Sequence, residues 1–572
     1  MQQRKPYLIS KAFNQYLWAS VFTVAATQIA NIVDAAIVGN LIGSAGIAAV
    51  NLSKPILQAF FAISCLYVPA ATILTGIAIG KGDTRRSGQL LSFSLIVSFV
   101  LGFLCLAGGM FFFGELSHAL CPSETLYPLA ADFMRVTIYS SLVQILMYTV
   151  HQFVTVDGSP RLVTYSIFIG NIVNIFLDIV FIKYCNMGIA GAAWATFTMY
   201  IVCILTALPH FRKKGTLRMQ MPRLQDLELG KLFGIGLPLF FSTALLSVQY
   251  VGNNYVASTY LGDNGLVALG VCMQLFAFSM IILTGTLRTI QPVGSILRGM
   301  DDSMGMLMLM KRAYRFLGLC LAIYAAALIL MPSQIAALLG VNDKMGMQMV
   351  VTALPLFTFH IVMQALLYNL MPIFQLYDRK HLALFLSISQ TLMPMIVFYL
   401  TRGNWLGFFF GQLITAIVIV VWCAVLRRRD PSLTPIFLIP MKKSTQVFET
   451  TATASLSSLS QTIDQLQTFL RQNGISSRNV FHASLCTEEF LKNIIQHGKA
   501  HAIDVGATIA DGVINITLHD DGAPFNPIAF AHDIPEKIGL GLTLAQATTQ
   551  SIDYKFLFNQ NMLTLKIGDP AQ

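Results

Sequence analysis

The chain has 572 residues, of which 55% are hydrophobic and only 11% charged, with a mean hydropathy of +0.66; a water-soluble domain carries roughly 25% charged residues. That balance excludes a wholly soluble protein and points to a bilayer as the main solvent. The net charge of +10 is explained below as an orientation signal, so no nucleic-acid partner is inferred from it.

Apolar runs of about 20 residues, enough to cross a hydrocarbon core, recur from Phe13 and stop near Leu426. The expected spans are 14–40, 47–78, 89–114, 127–155, 161–183, 188–209, 231–258, 263–292, 314–332, 347–376, 380–401 and 404–426. The opening "MQQRKPYLISK" is basic but leads into a full-length span, so no cleavable signal is expected. Lys and Arg collect on the cytoplasmic side of membrane proteins. With the N-terminus inside, 23 of the 28 Lys and Arg up to residue 430 fall on that side, Arg288 among them, and Lys54, Arg135, Lys183, Lys344 and Arg402 fall outside. A multi-pass inner-membrane protein with both termini cytoplasmic is therefore expected. The nine cysteines, without a CxxC pair, suggest packing, not zinc; Cys121 and Cys185 both fall in expected outer loops, within reach of a disulfide.

Laying "AIVGNLIGSAGIAAVNL" (36–52) on "YVASTYLGDNGLVALGV" (255–271) matches Gly43, Gly46 and Ala49 with Gly262, Gly265 and Ala268 at an offset of 219. A nearby offset matches Gly191 with Gly407. The chain thus reads as an N-terminal six-helix bundle (1–209), a basic linker (210–230) and a C-terminal six-helix bundle (231–430), two parallel repeats of the kind that enclose a central binding cavity.

Of fifteen acids up to residue 430, thirteen map to loops or span ends, which leaves Asp34 and Asp178 inside spans. A charge at mid-bilayer costs at least about 2.5–3.5 kcal/mol, so such an acid marks a functional site by default. Asn171, Asn174 and Asp178 recur at spacings of three and four in "GNIVNIFLDIVF" and share one helix face. Amide and carboxylate oxygens suit Na+ or a proton relay, and Thr196 in the next span adds a hydroxyl.

The runs "VDAAIVGNLIGSAGIAAVNLSKPI", "GKGD", "DGSPR" and "NIVNIFLDIVFI" with "MGIAGAAWAT" resemble the multidrug and toxic compound extrusion (MATE) family over residues 10–430. The resemblance implies two six-helix bundles and export of small organic, cationic drug-like compounds driven by Na+ or H+ entry. Its cation site falls on Asp34, Asn174, Asp178 and Thr196, with Gln144 as the candidate on the fourth span. In the second half Asn253 stands at the counterpart of Asp34, which places coupling in the first half alone.

From residue 440 the composition changes: 440–572 holds 9 Lys and Arg against 12 Asp and Glu, with no membrane-length run. Alternating segments "QVFETTATA", "AIDVGATIA", "VINITLHD" and "YKFLFNQNMLTLKI" read as strands, with helical patterns near 455–472, 478–497 and 540–550. The result is an α+β layer, an antiparallel sheet backed by helices. "TEEFLKNIIQHG" puts Glu489 and Asn493 on one helix face, "LHDDGAPFNP" ends a strand in an acid followed by Gly522, and "IGLGLTLAQA" begins a helix with Gly539 and Gly541.

In this order the three motifs resemble the GHKL ATPase fold, most closely the anti-sigma-factor serine kinases, whose DxGxPFxP signature matches Asp520–Pro527. The resemblance implies ATP and Mg2+ as ligands, Glu489 as catalytic base, Asn493 as the Mg2+ ligand, Asp520 as the adenine contact, and Gly522, Gly539 and Gly541 as the phosphate turn and lid. It also implies a small regulatory protein as partner. Ile538 departs from the pattern, standing where the lid often has another glycine.

The leading expectation is an all-α transporter in the lipid bilayer, a cation-coupled multidrug antiporter, with a cytoplasmic nucleotide-binding regulatory domain. Two others remain: a membrane-anchored serine kinase using the helices as a sensor, and a flippase for lipid-linked precursors.

Overall fold

In a bilayer the backbone has no water to bond to, so long apolar runs must close their hydrogen bonds internally, as helices. The computed structural model describes residues 7–121, 126–212, 217–223, 227–339, 341, 344–441, 446–510, 513–526, 547–557 and 560–568. The first half holds α1 (Tyr7–Leu41), α2 (Ser44–Cys65), α3 (Val68–Lys81), α4 (Thr84–Phe111), α5 (Phe113–Leu120), α6 (Tyr127–Tyr139), α7 (Ser141–Val156), α8 (Pro160–Ile179) and α9 (Ile189–Ala207). The second holds α10 (Leu229–Gly299), α11 (Ser303–Leu330), α12 (Pro332–Leu338), α13 (Lys344–Tyr368), α14 (Met371–Leu376), α15 (Lys380–Leu400) and α16 (Leu406–Arg429). Among the described residues eleven helical stretches are long and apolar enough to span a membrane, or twelve when α6 and α7, bent by 48°, count as one.

Several spans differ in detail from expectation. The second is broken into α2 and α3 at Leu66–Tyr67, where Pro69 at the start of α3 removes a backbone donor and pre-sets the new helix. The ninth begins at Ser303, eleven residues before the expected 314, because Asp302 caps it by accepting from the Gly305 N–H at 2.7 Å. Its first turns carry Lys311, Arg312 and Arg315, the charges that hid it. Cys121 is buried and Cys185 exposed, and both are free thiols, so the outer-loop disulfide does not form.

The repeat is written in the backbone. Gly43 (φ 97°, ψ −174°) precedes α2, and Gly262 (φ 67°, ψ −162°) breaks α10 at the matching place; side-chain-bearing residues rarely adopt either conformation. Asp83 caps α4 with φ −83°, ψ 82°, and Asp302, 219 residues on, caps α11 with φ −83°, ψ 81°.

The two halves meet where α3 packs along α10. Gly80 and Gly299 face each other there so closely that a Cβ on Gly80 would press on the Ile296 carbonyl and lie 2.8 Å from the Gly299 Cα. Small residues let membrane helices approach in this way.

The chain separates into two compact units, Gln15–Ile439 and Met1–Asn14 with Pro440–Gln572. The second contains β1 (Gln446–Thr453), α17 (Leu456–Gln472), α18 (Ser477–His497), β2 (Ala502–Ala510), β3 (Val513–Asp520), β4 (Ser551–Leu557) and β5 (Gln560–Ile567). The strands form one antiparallel sheet in the order β1-β2-β3-β5-β4, and "YKFLFNQNMLTLKI" supplies parts of two of them. Alternate strand residues such as Ile514, Ile516 and Leu518 pack with Leu466, Leu470, Ala483 and Phe490 of α17 and α18, so both helices cover one face. Their apolar stripes explain the choice of face.

Candidate functional sites: an acid pair in the membrane and a strand-end acid

The membrane unit holds a cavity of ≈ 570 Å³, within the usual range for drug-sized ligands, about 300–1,000 Å³. Asp34 of α1, Asn174 and Asp178 of α8, Thr196 of α9 and Gln144 of α7 all line it, so the expected cation-site residues come together. The Asp34 and Asp178 carboxyls lie within hydrogen-bonding reach of each other. The Asn174 amide, with its nitrogen turned toward the acid, sits 3.2 Å from both Asp34 oxygens. Asn174 and Asp178 are each 1% exposed, and one Asp178 oxygen has no partner.

Helical geometry makes this arrangement. Asn174 and Asp178 are one turn apart, and directly after them Val180–Tyr184 winds as a π-helix, a distortion found often at functional sites. Thr196 donates to the Ala192 carbonyl of its own helix at 3.1 Å, leaving oxygen lone pairs for a ligand, and Asn171 donates to the Ala26 carbonyl at 3.3 Å. Gln144 reaches the Leu57 carbonyl at 3.5 Å, while its own oxygen is buried without a partner.

No Lys or Arg forms an ion pair with either acid among the described residues. Two touching carboxyls without a cationic side chain repel unless a proton or a metal cation lies between them. In chemical terms the pair has the means to hold one small positive charge.

Asn253, the counterpart of Asp34, is 1% exposed with neither amide atom bonded. Among the described residues of the second half, no acid lines the cavity.

In the second unit Asp520 and Gly522 sit at the end of β3 and in the turn that follows it. Asp520 is 2% exposed and accepts from the Gly522 N–H at 2.9 Å and the Asn561 amide at 2.8 Å. Burial pushes its carboxyl above the usual carboxylate range, and those two bonds offset part of the rise. Gly522 is required: a Cβ there would collide with the Gly498 carbonyl. The Ala523 N–H donates to that same carbonyl at 3.0 Å, so the turn abuts the end of α18, the helix of Glu489 and Asn493.

Lys492 pairs with Glu488 at 2.7 Å and with Glu489 at 3.8 Å. Asp521 is held by Lys11 Nζ at 2.9 Å and by the backbone N–H groups of His501 and Ala502 at 2.8 and 3.2 Å. Gly539, Gly541 and Pro527 lie outside the described residues. Among the described residues no cluster of three His, Cys, Asp or Glu is present. A fixed strand-end acid, a glycine that tolerates no side chain and an abutting helix with Glu489 and Asn493 fit a nucleotide; an accompanying Mg2+ would take its amide oxygen from Asn493.

Two residues that matter escaped the sequence reading. Asn561, the second residue of β5, makes four bonds: to Asp520, to the Ala523 carbonyl at 2.9 Å, from the Phe525 N–H at 3.0 Å and from the Tyr554 hydroxyl at 2.6 Å. Only the β3–β5 register, which sets Asp520 opposite Asn561, reveals it. Arg288, counted in the sequence among the inner-side charges, lines the cavity; its place within an apolar run was the signal.

The MatE family model matches residues 19–180, and the histidine kinase-like ATPase domain matches residues 452–567. The multidrug export protein MepA of Staphylococcus haemolyticus is 25% identical over 259 residues, covering 45% of this chain and 57% of the relative. MepA of Staphylococcus aureus is 22% identical over the same length and coverage. The match therefore spans little more than half of these relatives.

Among solved structures, an outward-facing multidrug resistance MATE family transporter of the MOP superfamily superposes with a TM-score of 0.68 at 20% identity, covering 76% of this chain and 100% of that one. A MATE protein in a bent conformation gives 0.68 at 20% identity over 74% and 96%. Residues 19–180 carry a MatE domain and residues 452–567 a histidine kinase-like ATPase domain, and the membrane part adopts the fold of the MATE transporters.

Proposed function

We propose that the chain is a multidrug efflux antiporter that exchanges an amphiphilic organic compound for Na+ or H+ at the Asp34–Asp178 pair. The observation that carries this reading is the contact of two carboxyls, with Asn174 across both Asp34 oxygens, on the wall of a drug-sized cavity. A cation entering from outside binds between the acids and favours the state that releases drug; its departure inside resets the pair. Coupling requires only that the two states differ in affinity for the cation. Bases gathered on the N-terminal side of the first span support cytoplasmic termini.

The second unit is a cytoplasmic nucleotide-binding domain that regulates the transporter. Asp520, fixed by Asn561, accepts from the adenine amino group; Asn493 holds Mg2+; Glu489 orients water or an acceptor hydroxyl from a small regulatory protein; Gly522, Gly539 and Gly541 cradle the phosphates.

The test is efflux from dye-loaded proteoliposomes under separately imposed Na+ and pH gradients, comparing the native chain with Asp34→Asn. The reading expects gradient-driven efflux that the variant loses; undiminished efflux would count against the acid pair.

A further inference from the structure

The cavity wall carries two cationic side chains, the exposed Lys54 and the half-buried Arg288, as well as the two acids. Arg288 stands in the membrane part of α10, eleven residues before its end at Gly299, and lines the same cavity as Asp34 and Asp178. The groups within its electrostatic reach are Cys65, Tyr148, His151 and Tyr368, none of them a carboxylate. Among the described residues Arg288 forms no ion pair.

A guanidinium stays charged under all ordinary conditions, and holding it within the membrane without a counter-ion is costly. A side chain kept at that cost marks an intended ligand. Beside it, Phe61 and Tyr148 pack edge to face with ring centroids 5.2 Å apart, and both line the cavity.

We propose that Arg288 is the anion-recognition residue of this cavity, receiving the carboxylate of an aromatic zwitterionic substrate whose ring lies on the Phe61–Tyr148 pair. The guanidinium fork matches a carboxylate with two parallel N–H bonds. Phe61 and Tyr148 supply apolar area and ring edges, and the acids at Asp34 and Asp178 accommodate the substrate's cationic end. The preferred cargo is thus an organic molecule bearing both charges, not a simple lipophilic cation. This inference deepens the drug-site reading above and rests on it.

The test uses the purified full-length chain in detergent and the fluorescence anisotropy of two dyes, rhodamine B, a zwitterion with a free carboxylate, and its ethyl ester, a cation of almost the same shape. The native chain binds the acid more tightly than the ester. In Arg288→Gln the ratio of acid to ester affinity falls roughly tenfold, equivalent to about 1.4 kcal/mol, and Arg288→Lys retains part of it.

A native chain without preference for the acid overturns the proposal even if a variant fails to fold, as does an unchanged ratio in Arg288→Gln. Gradient-driven uptake of the ester reports on antiport independently, so failure of one reading is told from failure of the other.

Discussion

The contact between α3 and α10 sets a wedge experiment. Gly80→Ala adds one carbon that presses on the Ile296 carbonyl and lies 2.8 Å from the Gly299 Cα, where an ordinary contact needs 3.4 Å or more. Backbone atoms line both sides, so neither can turn away, and the helices must separate. Overpacking of this kind costs about 1–3 kcal/mol. The gain in helix propensity from Gly to Ala, roughly 1 kcal/mol, applies whether or not the halves touch and cancels from the comparison.

In the proposed antiport, alternating access would part the halves along this line, so the cost would fall on the closed arrangement alone. The equilibrium then shifts about 5–150-fold toward the parted state. Ser295, fully buried against Gly76, reports it. With the nine native cysteines replaced and Ser295→Cys introduced, a membrane-impermeant maleimide should label the Gly80→Ala chain at least fivefold faster than its parent. Equal labelling rates in two chains of equal thermal stability would refute the reasoning that this glycine contact is a closing surface.

Three further outcomes follow from the same geometry. Asn561→Ala removes four bonds from a residue 3% exposed; each buried partner left unsatisfied costs about 1–3 kcal/mol, so binding of a fluorescent ATP analogue should weaken at least tenfold, and Asn561→Asp, which sets a second acid against Asp520, should not rescue it. If Asp520 takes the proposed adenine contact, its ionised form is the stronger acceptor and its carboxyl is raised by burial, so nucleotide affinity should decline as pH falls while ordinary exposed carboxylates are still ionised, and Asp520→Asn should flatten that profile. Gly262→Val, at φ 67°, should lower the thermal midpoint of the full chain in differential scanning fluorimetry by several degrees, since a β-branched residue is strained there by about 1–3 kcal/mol.

What the sequence made legible followed from local rules. Asp34 and Asp178 stood out because an acid in an apolar run has few benign explanations, and Asn174 because a spacing of four on a helix means one face. Gly43 and Gly262 announced the repeat because the conformation before each following helix suits glycine alone. Contacts made by pairing distant segments were not legible. Asn561 is one polar residue in "NQNMLTLKI" until β5 is set against β3, and Arg288 counted as an orientation charge until α10 turned it toward the cavity. The early start of α11 was missed because Lys311, Arg312 and Arg315 interrupt the apolar pattern while the backbone continues unbroken from its Asp302 cap.

In the proposed antiport the acid pair trades a bound cation for substrate. The direct measurement is cation release on dye binding: purified chain in weak buffer, followed with a pH indicator and, in a parallel arm, with 22Na+ displacement. Rhodamine B ethyl ester should release one proton or one Na+ per bound dye from the native chain, and none from Asp178→Asn. Dye binding without release of either ion, or release that persists in Asp178→Asn, would contradict it.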